Sequence, residues 1–129
     1  MRRHSVLVVE DNKLLRWCMS CGLDRDGFCV FAPESVEDVL RLAADSPVDV
    51  VVTDLRLPGG HDGFEVLAFV REKSPQAVSI LISADADPHL SDRAQRAGFN
   101  LVIQKPFPVA EIVGAVRSLA ERHRAGVVS

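Results

Sequence analysis

Five short runs of β-branched and apolar residues punctuate the chain: Ser5 to Val9, Cys29 to Ala32, Val48 to Thr53, Val78 to Ser83, and Leu101 to Gln104. Between them, apolar residues return every three or four positions, the period of a helix with one buried face. This alternation predicts parallel strands joined by crossover helices. The runs VLVV, VVV and ILI are apolar on both faces and belong to strands covered on both sides, so the first, third and fourth strands are predicted to be central. CVFA and LVIQ are more polar at their ends and are predicted to flank the sheet.

The helical stretches carry their own punctuation. Lys13 to Asp26 places Leu14, Leu15, Cys18 and Gly22 at helical spacing, and Gly27 closes it as a C-terminal stop. Gly22 in its interior runs against helical propensity. Ser35 opens a capping-box-like helix with Val36, Val39, Leu40 and Ala43 on one face, ended by Pro47. A third helix runs from about Phe64 to Lys73. Asp87 and Pro88 read as a cap and first-turn pair opening a short helix that Gly98 ends. A last helix from about Pro108 to Arg124 carries Ile112, Val113, Val116 and Leu119.

Composition narrows the picture. With 129 residues there is room for one core and no second folded domain; the expected unit is 1–124, with 125–129 a frayed tail or the start of a linker. An apolar fraction of 47% and a charged fraction of 26% are those of a soluble globular protein. No apolar run approaches the ~20 residues of a membrane helix, and Val6 to Val9 is too short for a signal-peptide core, so a cytoplasmic location is expected. A net charge of −3 with scattered basic residues lacks the electrostatic footprint of a nucleic-acid binder. Neither direct nucleic-acid contact nor membrane contact is expected. Three cysteines, Cys18, Cys21 and Cys29, favour reduced thiols. CMSC has CxxC spacing but falls inside a helix and lacks further zinc ligands, so Cys18 is expected to be a small core residue.

In an open α/β sheet, ligands bind outside the carboxyl ends of the strands. Here those ends carry Glu10 and Asp11, Asp54, Ser83, and Lys105 followed by Pro106 and Phe107. Clustered carboxylates repel one another unless a cation sits between them, and an all-oxygen site suits a hard divalent ion such as Mg²⁺. A carboxylate so shielded can attack phosphorus and become an acyl phosphate. Lys105 would offer a point charge to a phosphate oxygen, and Ser83 a hydroxyl, with backbone N–H groups at the Ser83–Ala84 turn adding more.

The segments VVEDN, VVTDLRLP, LIS and KPF, in that order, resemble the receiver domain of two-component response regulators over essentially the whole chain. The resemblance implies a flavodoxin-like, doubly wound (βα)5 fold, an α/β class with a five-stranded parallel sheet in the order 2-1-3-4-5. It implies that Asp54 is the phosphoacceptor, that Glu10, Asp11, Asp54 and the backbone carbonyl of Arg56 hold Mg²⁺ (or Mn²⁺), and that Ser83, the Ala84 N–H and Lys105 bind the phosphoryl group. The implied partners are a sensor histidine kinase or phosphotransfer protein and an output domain or downstream protein, with a homodimer through the face of the fourth helix, fifth strand and fifth helix. Asp54 is then expected to leave the core so that phosphorus can reach it.

The chain departs from the family pattern in three places. Val102 stands three positions before Lys105, where an aromatic residue usually couples phosphorylation to the output face. The loop Pro58 to Gly63, PGGHDG, holds one residue more than usual, which Gly59 and Gly60 can absorb through positive φ; His61 within it is expected to be merely solvated. Arg56 and Asp85 occupy positions that modulate hydrolysis, and their opposite charges can pair across the mouth of the site. The family's activity is that of a switch rather than an enzyme. An aspartyl-nucleophile phosphatase would place an acid where Arg56 stands, which counts against that reading; a degenerate receiver acting only as an interaction module stays the alternative, with five competent polar groups against it and Val102 for it. Trp17 on the first helix either lies on an exposed face where receivers meet their kinases or packs partly buried.

Overall fold

The computed structural model describes residues 3–85 and 87–124; the expected tail at 125–129 lies outside them. The elements follow in the order β1 (Ser5–Val9), α1 (Lys13–Arg25), β2 (Cys29–Phe31), α2 (Val36–Asp45), β3 (Val50–Asp54), a 3-10 turn (Pro58–Gly60), α3 (Gly63–Lys73), β4 (Val78–Ser83), α4 (Leu90–Ala97), β5 (Leu101–Gln104) and α5 (Val109–Arg124). All strands are parallel, in the order β2-β1-β3-β4-β5. The strands apolar on both faces are the central ones, and β2 and β5 are the edges. β3 begins two residues later than its sequence pattern and ends on Asp54 itself, while β2 stops one residue early at Phe31.

Side chains alternate across a strand, so each central strand feeds two cores. On one face Val6, Val8, Val50, Val52, Ile80 and Ile82 pack under Met19 and Leu23 of α1 and Ile112, Val116 and Ala120 of α5. On the other, Leu7, Val9, Val51 and Leu81 meet α2 through Val39 and Ala43, α3 through Val66, Leu67 and Val70, and α4 through Leu90 and Ala94. Burying a side chain such as Ile112, which is fully inaccessible, contributes roughly 1.5–3 kcal/mol.

The phase of α1 differs from the sequence expectation. Its buried face is Arg16, Met19 and Leu23, whereas Leu14 is 70% exposed and Cys18 is half-buried rather than in the core. The Asn12 side chain caps the helix by accepting from the Leu15 N–H at 2.9 Å, which fixes the start. From that start the long side chains of Met19 and Leu23 reach the sheet. Gly22 faces α5: a Cβ there would lie 3.0 Å from Val109 Cγ1 and 3.1 Å from Val113 Cγ2. The glycine that weakened the helix in sequence lets α1 and α5 approach closely.

α4 also starts later than its sequence punctuation. Asp87 Oδ1 accepts from His89 N at 2.9 Å, but this bond closes a turn at Pro88 and His89 rather than capping the helix, which begins at Leu90 with His89 at its N-cap. Gly98 ends it as expected, at φ 104°.

Gly63 opens α3 directly beside the end of β3. Its N–H donates to Leu55 O at 2.8 Å, and a Cβ would fall 2.6 Å from the Asp54 carbonyl oxygen and 2.9 Å from Leu81 Cδ1. Backbone cannot yield as a flexible side chain can. Gly63→Ala is therefore expected to destabilise the fold by about 1–3 kcal/mol; urea unfolding should show a lowered midpoint with an unchanged slope, and an unchanged midpoint would refute the close approach.

Candidate functional site

Parallel strands share one polarity, so their C-terminal ends lie on one edge, and the strand order sets β1 beside β3. Glu10 follows β1 and is 3% exposed; Asp54 is the last residue of β3 and is 8% exposed; Asp11 is exposed. Ligand oxygens of these three carboxylates lie within 4.8 Å of one another. Ser83 ends β4, and Lys105 directly follows β5 with its own peptide bond to Pro106 cis. Asp54 does not leave the core as expected. It stays buried because it finds partners there.

Those partners form a compact network. Lys105 Nζ lies 3.0 Å from Asp54 Oδ2 and 2.8 Å from Glu10 Oε1. Asp54 Oδ1 accepts from its neighbour's backbone, Leu55 N, at 3.0 Å, and Glu10 Oε2 accepts from Asn12 N at 3.0 Å. Burial pushes the Glu10 carboxyl above its ordinary value, against the opposing pull of Lys105 and the Asn12 N–H. Burial alone would lower the Lys105 ammonium, but the adjacent carboxylates of Glu10 and Asp54 outweigh that and raise it. Glu10 Oε1 faces the ammonium off the hydrogen-bonding direction, leaving this buried oxygen with an ion-pair neighbour but no hydrogen bond.

The mouth of the site is lined by charge. Arg56 donates from Nε and Nη2 to Asp85 Oδ2 at 3.2 and 2.8 Å, so the two opposite charges pair. The Asp85 carboxylate raises the Arg56 guanidinium further above its ordinary value. Ser83 Oγ accepts from Asp85 N at 2.9 Å, which leaves the hydroxyl proton to donate elsewhere. In the lengthened loop Gly59 and Gly60 both take positive φ, 72° and 79°, and Leu57 N donates to His61 O at 3.1 Å. His61 Nδ1 sits 2.6 Å from Glu65 Oε1 at the start of α3 and is no member of the carboxylate group. Val102 is half-buried and lines, with Ser83, Asp85, Leu90 and Gln104, a cleft of about 340 Å³. Trp17 is 66% exposed, which resolves its two readings in favour of the exposed one.

One residue beside the site escaped the sequence reading. Arg16 on α1 is 8% exposed and donates from Nη1 to the Glu10 carbonyl at 2.9 Å. Its only signal in the sequence is its spacing from Met19 and Leu23, which puts a charged residue on the apolar face.

A family model of the response regulator receiver domain matches residues 6–117. The chain belongs to that family. This receiver is similar to the KDP operon transcriptional regulatory protein KdpE of Escherichia coli, at 34% identity over 94% of this chain and 53% of that protein. It is similar to the transcriptional regulatory protein CseB of Streptomyces coelicolor, at 35% identity over 91% of this chain and 49% of that one. The chain thus spans about half the length of these relatives. Its fold superposes on a CheY-like receiver domain protein from Methanospirillum hungatei with a TM-score of 0.87 at 18% identity, covering 97% of this chain and 99% of that one. Receiver domains of response regulators are signalling switches in two-component systems rather than classical enzymes. Among the described residues no helix is long and apolar enough to cross a membrane.

The receiver's acidic group could hold a metal ion. The three clustered carboxylates outnumber the one ammonium that pairs with Glu10 and Asp54, leaving an excess of negative charge, and the Glu10 oxygen without a hydrogen bond offers a hard donor. Both features fit a divalent cation with oxygen ligands. A ligand that binds only the folded state stabilises it, by ~2.7 kcal/mol at a hundredfold excess over its dissociation constant. Adding a divalent cation is therefore expected to raise the thermal midpoint of the wild-type chain and to do so far less in Asp11→Asn. Equal shifts in the two proteins would remove Asp11 from the site.

Proposed function

We propose that Asp54 accepts a phosphoryl group from the phosphohistidine of a sensor histidine kinase or phosphotransfer protein, in a reaction that depends on Mg²⁺ (or Mn²⁺). The observation that carries this reading is the convergence of Glu10, Asp11 and Asp54 within 4.8 Å, with Lys105 held 3.0 Å from Asp54. Glu10, Asp11, Asp54 and the Arg56 carbonyl would hold the ion, which when bound supplies positive charge to shield the carboxylate from an incoming phosphoryl oxygen. An Asp54 carboxylate oxygen attacks phosphorus; the bond from phosphorus to the donor's imidazole nitrogen breaks, and the imidazole leaves with the electron pair. The product is an acyl phosphate on Asp54.

The other residues have roles that follow from their chemistry. Lys105 already lies against Asp54 Oδ2, so its ammonium is in position to pair with a phosphoryl oxygen once the carboxylate is phosphorylated. The Ser83 hydroxyl keeps its proton for a second phosphoryl oxygen, and the Ala84 N–H adds a backbone donor. The Arg56–Asp85 pair stands at the mouth, where it controls the approach of water; an exposed pair of this kind contributes little to stability. Residues 1–124 would act as one receiver unit in the cytoplasm, read by an output domain, by a separate protein, or by pairing of two copies through the α4-β5-α5 face. The relatives named as transcriptional regulators, of which this chain matches about half, support an output beyond the receiver itself.

Incubation with a small acyl phosphate and Mg²⁺, followed by intact mass, is expected to show a phosphate-sized gain that vanishes in Asp54→Asn; a persistent gain would move the acceptor elsewhere. Arg56→Ala is expected to change the lifetime of the phosphorylated state by several-fold while leaving the thermal midpoint nearly unchanged. An unchanged lifetime would exclude the pair as a gate.

A further inference from the structure

We propose that Arg16 is a positioning residue for the metal-binding acids, joining the backbone of Glu10 to the β2–α2 loop so that Glu10 and Asp11 are presented in a fixed geometry. This rests on the phosphoacceptor reading above.

The Arg16 side chain is 10% exposed, and a guanidinium removed from water needs compensation from charge and hydrogen bonds. Its Nη1 donates to the Glu10 carbonyl at 2.9 Å, and its Nη2 lies 3.9 Å from Glu34 Oε1 on the loop before α2. Glu10 is thus held at both ends by the first turn of α1: its carbonyl by Arg16, and its carboxylate by the Asn12 N–H at 3.0 Å. The helix closes this arrangement on itself, since Arg16 N donates to Asn12 O at 2.9 Å. Asp11 lies between Glu10 and Asn12, both of them anchored, so the strand-to-helix turn carrying both acids has little freedom.

The identity of the residue matters. A planar fork can bond the Glu10 carbonyl through one nitrogen while the other stays near the exposed Glu34 carboxylate, whereas a lysine ammonium is a point charge at the end of a flexible stem. A methionine would fill the same space yet leave the Glu10 carbonyl without its donor. Residues that orient metal ligands without touching the metal typically change affinity by ten- to a hundredfold.

Calorimetric titration of the metal-free full chain with Mg²⁺, and separately with Mn²⁺, tests the assignment. Arg16→Met is expected to raise the metal dissociation constant about tenfold, the low end of that range, while circular dichroism stays native. The rate of phosphorylation by a small acyl phosphate should recover towards wild type at saturating Mg²⁺, which a merely misfolded site would not do. Arg16→Lys should weaken binding about threefold by the same logic, and it carries the test alone should the methionine variant fail to fold. A folded variant whose dissociation constant stays within about twofold of wild type overturns the assignment of Arg16 and leaves the phosphoacceptor reading intact. A wild-type chain that binds neither ion overturns both.

Discussion

The Lys105 ammonium stands between two buried carboxylates, and much of the architecture around the site serves that contact. Glu10 and Asp54 belong to neighbouring strands whose ends coincide because the sheet is parallel, and Lys105 arrives from the far edge, after β5. One ammonium does not neutralise three acids. Burial, with a smaller push from the Asp54 charge, holds Glu10 above its usual carboxylate range, so the folded chain retains that proton to higher pH than the unfolded chain does. By linkage, ionising Glu10 costs the folded state stability as pH rises above its ordinary 4.5. Lys105 has the opposite charge type: its raised value stabilises the fold fully below 10.5 and loses that contribution as pH climbs through the folded value.

A site that is electrostatically unsatisfied must be held by something that is not. Here it is the two apolar layers on either side of the sheet, in which Val6, Leu7, Val8, Val50, Val51, Val52, Ile80, Leu81 and Ile82 have no accessible surface. Asp54 is the last residue of β3, so the sheet fixes its backbone, while Glu10 and Asp11 lie in the turn directly after β1. Close approaches refine the placement. Gly63 lets α3 begin against the Asp54 carbonyl, and Asn12 and Arg16 fasten the turn after β1.

The family pattern and its departures coexist in one structure. The extra residue after Pro58 is taken up by two left-handed glycines, and the loop still returns to the sheet, with Gly63 N bonded to Leu55 O. His61 is drawn to Glu65, away from the carboxylate group. Val102 leaves a cleft beside Ser83 where a larger side chain would reduce the space.

The pattern of apolar runs determined the strands, their central or edge placement and the helices between them, because a strand buried on both faces can be built only from an unbroken apolar run. It also determined which polar residues would share one edge, since parallel strands leave no freedom in where their ends lie. The phase of α1 was not legible: Leu14 and Cys18 are as apolar as Met19 and Leu23, and only the cap at Asn12 and the fit against α5 chose between the two stripes. The burial of Asp54 was not legible either, because a carboxylate at a strand end can stay inside only if a cation reaches it, and Lys105 is 51 residues away in the chain. Arg16 belongs to the same class: an arginine on an apolar face makes sense only when the carbonyl it serves has been brought beside it. Periodicity and strand polarity are local or one-dimensional and can be read from the chain. Partnerships between charges separated in sequence exist only once the tertiary structure closes the distance.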